Sequence, residues 1–325
     1  MSRVAILVLF AAVMAFSTAQ GQQGLAWKDA DDGKIQLTED GSPVLVYNYD
    51  TVSKEGVPSR YDRANYLHPV YGLNGEILTE DFPEDHPHHR GIFWAWPHIR
   101  VGGEEYETWK PGSGVTYRHE RWVRKRIQEN RAVLVTVNGW YADEGRIMDE
   151  RVKMTISSAA GGRRTIDFEF TWTPTDQPVT LQGRANPKKS YGGFTFRFNT
   201  RVREEGGLDT SEVTITTPDG VSGDDLVNER LRWADFTAPF PGAEGQSGAA
   251  VFVSDSHPDY PPAWLTRHYG ALCVGWPGVQ SRTLEPDESV TCRYRVLIHD
   301  GKLSPDQLRA AYEKYCGGRD GDGQK

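Results

Sequence analysis

The sequence is short of cysteine, of basic charge and of long apolar runs, and each shortage removes a class of protein. Three cysteines in 325 residues, Cys273, Cys292 and Cys316, are too few for a dense disulfide framework, and without a C-x-x-C they offer no cysteine zinc site. Two cases stay open for them: one disulfide, with Cys273 and Cys292 as the pair because both sit in strand-like runs, or three buried unpaired thiols. Acidic residues outnumber Lys and Arg by 45 to 37, a formal net charge of -8, so the basic face that a nucleic-acid backbone demands is missing. Beyond Phe16 no stretch approaches the about 20 apolar residues of a membrane helix, so no membrane insertion is expected there. There is no internal repeat, no heptad run and no long linker, which favours a single domain over 25–316.

What is present begins with MSRVAILVLFAAVMAFSTAQ: Arg3, an apolar run from Val4 to Phe16, then small residues up to Ala19. This is the layout of a secretory signal peptide over residues 1–19, and it leads to the expectation of a secreted or periplasmic protein. A small, neutral or sugar-like ligand suits such a chain better than a polymer of phosphates.

Most of the remainder alternates with period two, the mark of half-buried strands. In "RTIDFEFTW" Ile166, Phe168, Phe170 and Trp172 share one face; "GFTFRFN" and "SVTCRYRVLIH" repeat the pattern, and "PVLVYNY", "RAVLVTVNGWY", "SEVTITT", "AAVFVS" and "HYGALCVGW" are further strand candidates. Turns rich in Gly, Pro and Asp separate them, and helices do not alternate with them. The expected fold is all-β, a large antiparallel β-sandwich. One helix is signalled at the end: in "LSPDQLRAAYEKYCGG" Ser304 caps, Pro305 opens, Gln307 closes a capping box and Gly317 stops, with Leu308, Ala311, Tyr312 and Tyr315 as the stripe that docks. Residues 317–325 read as a frayed, disordered tail.

The densest chemistry lies in "EDHPHHRGIFWAWP". Two prolines and Gly91 mark Asp81 to Gly91 as a loop that enters the strand Ile92 to Trp96, and a rigid strand that delivers loop histidines makes a candidate active site. His86, His88 and His89 titrate in the range needed for general acid–base work, with Asp85 or Arg90 orienting them. A second chemistry binds a divalent metal through His86 and His88, two apart on an extended backbone, with a third ligand from His257, His268 or a carboxylate, although no H-E-x-x-H accompanies them. In the third case the imidazoles are structural and bond to carbonyls.

Elsewhere, alternation in "RIMDERVKMTI" points Glu150 the same way as Met148, Val152, Met154 and Ile156, so that burial raises its pKa and makes it a candidate acid or base, unless a bulge turns it outward. Arg197, opposite the Phe face of its strand, is a candidate anchor for a ligand hydroxyl or carboxylate. Ten tryptophans and 14 tyrosines supply flat faces for sugar rings, and Trp94, Trp96, Trp109, Trp140, Tyr191 and Trp276 lie near His or Gly-Pro turns. His257 and His268, in "HPDYPPAWLTRHYGALCVGWPG", are placed to close the cleft from the far side.

The stretches "YLHPVYGLNGEILTEDFPEDHPHHRGIFWAW", "SYGGFTFRF" and "HPDYPPAWLTRHYGALCVGWPGVQSRTLEPDESVTCRYRVLIHDG" resemble, in order, the PmoA-like family of secreted bacterial proteins often labelled "methane oxygenase PmoA". That resemblance implies a supersandwich similar to galactose mutarotase, whose relatives process carbohydrates with a histidine and an acidic residue. By analogy of role, one of His86, His88 and His89 would be the acid and Glu150 the base.

The resulting expectation is an exported, carbohydrate-active protein that carries out epimerisation, elimination or hydrolysis on a sugar or sugar derivative, without a cofactor. Its substrate contacts would be Asp85, Arg90, Trp94, Trp96, Tyr191, Arg197, His257, His268 and Trp276. The rivals are a metal-dependent oxidoreductase, as the family label implies, and a non-catalytic sugar-binding module.

Overall fold

The computed structural model describes residues 24–30, 33–112, 114–200 and 210–318, so the expected signal peptide and all but the first two residues of the expected tail lie outside the described residues. Two nine-stranded antiparallel sheets form the body. Sheet I runs in the spatial order Leu25–Ala30, Lys34–Glu39, Ser42–Asn48, Tyr66–Val70, Ile92–Ala95, Gly193–Arg197, Ala271–Gly275, Ala263–Arg267, Val227–Arg230. Sheet II runs Gly220–Ser222, Thr214–Thr217, Trp233–Ala238, Ser247–Val253, Val290–Asp300, Arg163–Pro174, Gly145–Ser157, Arg131–Ala142, Val115–Gln128. A four-stranded sheet III (Ser281–Leu284, Val179–Gln182, His98–Val101, Glu104–Tyr106) completes the described strands. The all-β sandwich with one C-terminal helix is the architecture that the alternating pattern foretold.

The two large sheets bury their facing sides against each other. From sheet II come Val152, Met154, Ile166, Phe168, Phe170 and Trp172; from sheet I come Ile92, Trp94, Phe194, Phe196, Trp264 and Val274. The aromatic rungs stack: Phe168 on Phe170 at 5.6 Å, Phe170 on Trp172 at 5.4 Å, Trp172 on Trp276 at 5.8 Å between ring centroids. Each such side chain contributes about 1.5–3 kcal/mol by leaving water, so this ladder is a main source of cohesion between the sheets.

Sheet I is also covered on its other side. Its residues Tyr66, Phe93, Leu265, Ala271 and Cys273 point away from the interior and form a second cluster with Trp109, flanked by Tyr191 and Tyr269. The two candidate disulfide partners therefore separate: Cys273 belongs to this outer cluster and Cys292 to the interior, and all three thiols are free, with Cys316 only partly buried. The possible Cys273–Cys292 bond is thus not formed, because the thickness of sheet I lies between the two side chains.

The helix, Pro305–Gly317, has the expected capping box: the Ser304 hydroxyl accepts from the Gln307 amide at 3.2 Å and Gln307 Oε1 accepts from Ser304 N at 2.9 Å. It runs through Gly317 and is capped by Gly318, one residue past the expected stop. Leu308, Tyr312 and Tyr315 dock on Trp233, Ala250, Phe252 and Leu297, on the outer side of sheet II. The run "HYGALCVGW" is shorter as a strand than read from sequence, Ala271–Gly275, because His268 to Gly270 form the turn that enters it.

Candidate active site

The histidine turn rises from the outer side of sheet I. Its two ends are stitched to the strand Gly193–Arg197: the Gly91 amide donates to Glu80 O at 2.7 Å, the Arg197 amide to Gly91 O at 2.8 Å, and the Glu80 amide to Arg197 O at 3.1 Å. Within the loop the His86 amide donates to Pro83 O and the His89 amide to His86 O, two tight turns that place three imidazoles side by side. Gly91 is required at the exit: its φ is +52° and a Cβ there would sit 2.0 Å from Leu67 O.

Arg90, expected to touch substrate, instead locks the foot of this loop. It is fully buried, and its guanidinium donates to Asp81 Oδ1, to Tyr61 O at 2.9 Å, to Tyr66 Oη at 2.5 Å and twice to Val52 O, while resting on the Phe82 ring. Five occupied hydrogen bonds leave it no donor for a ligand.

Above the foot, Asp85 Oδ2 meets His86 Nδ1 at 2.7 Å, and Asp85 Oδ1 accepts from Arg197 Nη2 at 3.1 Å. Arg197 is itself 2 % exposed and held by Glu80 Oε2 through Nε at 3.1 Å and Nη2 at 3.0 Å. The chain Glu80, Arg197, Asp85, His86 therefore fixes one imidazole from two strands' worth of scaffold. With Nδ1 on a carboxylate, the proton of a neutral His86 belongs on Nδ1 and the Nε2 lone pair is left for chemistry. The ring stacks on Tyr269 at 5.2 Å and on His89 at 4.8 Å, and its side chain is 36 % exposed, so the oriented imidazole is reachable from solvent.

His88 and His89 complete the turn as neutral imidazoles. Burial pushes His88 down to about 3, assisted by the positive charges of Arg63, Lys110 and Arg197 around it, and burial pushes His89 well below the ordinary histidine range. His89 stands edge-on to Trp109 at 5.5 Å, and Trp109 packs on Tyr191 at 4.6 Å, so an aromatic wall rises beside the histidines. Among the described residues no three His, Cys, Asp or Glu side chains form a group that could hold a metal ion, and His86 Nδ1, one of the two candidate ligand atoms nearest the turn, is engaged with Asp85.

Of the residues singled out from sequence, Asp85, His86, His88, His89, Trp109, Tyr191 and Arg197 come together here. Glu150 does not. It lies between the sheets, fully buried, where Oε2 accepts from the indoles of Trp94 at 2.7 Å, Trp172 at 2.9 Å and Trp140 at 3.1 Å, and Oε1 from Asn138 Nδ2 at 3.0 Å. Trp94 points inward while its neighbour Phe93 supports His89 on the outer side, so sheet I itself separates Glu150 from the histidines. The inward direction was read correctly from alternation, since the bulge falls earlier, between Arg146 and Met148; the pairing of Glu150 with the histidines as acid and base is corrected by its position.

Trp94, Trp96 and Trp276 are likewise core, and the Trp96 indole donates to Trp276 O at 2.6 Å. His257 packs on Tyr294 and Trp276; its Nδ1 accepts from the Asp259 amide at 3.1 Å, so Nε2 carries the proton toward Tyr294 Oη at 3.2 Å. His268 is spent on Asp225 at 2.8 Å, although its neighbour Tyr269 reaches the site. A separate cleft of about 440 Å³, lined by Lys188, Arg230, Asp259, Trp276 and Arg282 among others, holds none of the three histidines. Beside this cleft, Ser190 O would lie 2.2 Å from a Cβ on Gly275, which must therefore be glycine.

Sequence reading passed over Tyr269, Arg63, Glu80 and Lys110. Of these only Tyr269 carried a local signal, as the aromatic after Arg267-His268 in a turn.

An all-β sandwich with an oriented aspartate–histidine pair on its outer sheet face is the class of protein defined by these observations. The chain belongs to a family of unknown function, DUF6807, whose profile matches residues 34–313. No curated protein matches it. Solved structures similar to it include a galactose mutarotase related enzyme from Lactobacillus acidophilus, at 7 % identity over 86 % of this chain and 99 % of that one with a TM-score of 0.37. Others are a GalM/aldose epimerase homologue from C. elegans, at 10 % identity over 86 % and 97 % with a TM-score of 0.33, and a polysaccharide lyase, at 13 % over 89 % and 34 % with a TM-score of 0.31.

Proposed function

We propose that this is an exported, carbohydrate-active enzyme, with residues 1–19 as its export signal, that moves a proton on a sugar or sugar derivative using His86 as the base. The observation that carries this reading is the Asp85–His86 contact at 2.7 Å, with Asp85 held by the buried Arg197. Such an arrangement orients the imidazole, leaves Nε2 basic and stabilises the imidazolium formed when a proton is taken up. His86 then delivers the proton to a different atom or face of the sugar, the departing oxygen in an elimination, so one residue serves as base and acid in turn.

Neutral His88 and His89 contribute N–H donors to sugar hydroxyls without competing for the proton, and Trp109, Tyr191 and Tyr269 offer flat faces to the C–H side of a ring. Glycosidic hydrolysis needs two carboxyl groups set across the scissile bond. Here Asp85 and Glu80 are committed to Arg197 and His86, which favours epimerisation or elimination.

The reading is tested by replacing His86, His88 and His89 together with glutamine and comparing turnover on a mixed sugar pool by proton NMR. Loss of every activity of the parent chain supports it; unchanged activity overturns it.

A further inference from the structure

Three buried polar atoms on this face have no protein partner: the donors Arg197 Nη1 and Arg63 Nε, and the ring nitrogen His89 Nδ1. Their residues are 2 %, 3 % and 3 % exposed, where an unpaired polar group is costly and rare. They also adjoin one another. The Arg197 guanidinium lies over Tyr269 at 4.8 Å and Arg63 over Phe93 at 5.0 Å; His86 stacks on Tyr269, and His89 lies 5.7 Å from Phe93. Arg63 spends Nη2 on the carbonyl oxygens of Thr108 and Trp109, which leaves its charge without a carboxylate contact.

The charge balance of the site has a sign opposite to that of the chain. Arg63, Lys110 and Arg197 bear on His88, and Arg184 with Lys110 bears on Glu107, so four cationic groups stand against three carboxylates, Glu80, Asp85 and Glu107. Among these described residues, a protein of net charge -8 thus gathers four cations against three carboxylates around its histidines, with Asp81 and Arg90 beside them as a matched pair. Arg63 and Arg197 lie buried in a low-dielectric wall, where charge selects ligands strongly, while Arg184 is half-buried and Lys110 exposed.

We propose that the ligand of this site is a sugar bearing one carboxylate, a uronic or aldonic acid, seated with that group toward Arg197 Nη1 and the exposed Lys110. This deepens the proposed function and rests on it for the location of the site. A planar carboxylate matches the fork of a guanidinium edge, and a single negative charge balances the site where a phosphate dianion would overshoot it.

The test is calorimetric titration of the whole chain with galacturonate and glucuronate, their neutral methyl esters, the parent neutral sugars and glucose 6-phosphate. The acids are expected to bind about tenfold or more tighter than the esters, with affinity falling as salt rises. Lys110→Gln, an exposed change that leaves the fold intact, is expected to narrow that gap several-fold; Arg197→Gln should abolish it, with thermal melting run alongside to separate misfolding from lost binding. Equal affinity for acids and esters, tighter binding of the phosphate, or no binding of any sugar would overturn the proposal. Turnover of neutral sugars without preference for acids would sink this inference and keep the proton-transfer reading. Tight binding of a uronate without turnover would do the reverse.

Discussion

Asp85 and His86, neighbours in sequence, bond to each other through their side chains at 2.7 Å, and the other oxygen of Asp85 receives Arg197 from a strand more than a hundred positions away. Adjacent residues of an extended chain point apart, so this contact exists only because the turn Pro83–His86 folds them to the same side.

Asp85→Asn keeps the shape and removes the charge. In the parent chain the imidazole nitrogen shifts of the uncharged ring should report its single proton on Nδ1. In Asp85→Asn the amide nitrogen can face Nδ1 and reverse the tautomer, and turnover should fall by about 10²-fold or more. An unchanged tautomer would remove the orienting role.

Stability should fall in mild acid. His88 and His257 are both pushed down to about 3 by burial, against 6.5 for an unfolded histidine, so between these values the unfolded chain binds more protons. Each therefore removes about 1.4 kcal/mol of stability per pH unit as pH drops below 6.5. Glu150 works in the opposite sense, because burial raises its pKa and its neutral form is favoured as pH falls. Urea midpoints measured from neutral pH down to about pH 4.5 should show the decline, and His257→Asn should flatten it.

Glu150 is a structural centre in this account. Glu150→Gln should strand at least one indole N–H and cost about 1–3 kcal/mol, and Glu150→Leu, which strands four donors, should cost more. Urea denaturation followed by tryptophan fluorescence measures both. Folded Glu150→Gln should keep its turnover; a specific loss of catalysis would return Glu150 to the mechanism.

The thiols give a simple check. Cys273 is pushed up to about 11 by burial and Cys292 higher still, so an aromatic disulfide reagent should modify one thiol per native chain, at Cys316, and three in denaturant.

How far the sequence revealed all this depends on the residue. The strand pattern showed that Glu150 and Phe168 point inward, and the loop composition marked the histidine turn as a candidate site. Which face of a strand lies under that turn was not legible. Ile92 to Ala95 is apolar on both sides because sheet I is covered on both sides, so nothing local tells Phe93, beneath the histidines, from Trp94, beside Glu150. Arg90 and Arg197 look alike as single basic residues near aromatics; only pairing over long sequence distances makes one a lock and the other an anchor. Tyr269 reached the site by the packing of sheet I, which no periodicity encodes.

The most direct measurement is proton NMR in D₂O on a pool of neutral sugars, uronic acids and keto-sugars, with the parent chain and with His86→Gln. The account predicts new resonances, faster anomeric exchange or loss of a C–H signal with the parent, and a rate about 10²–10⁴-fold lower with His86→Gln. Equal rates for the two proteins, or a pool that neither one changes, would contradict it.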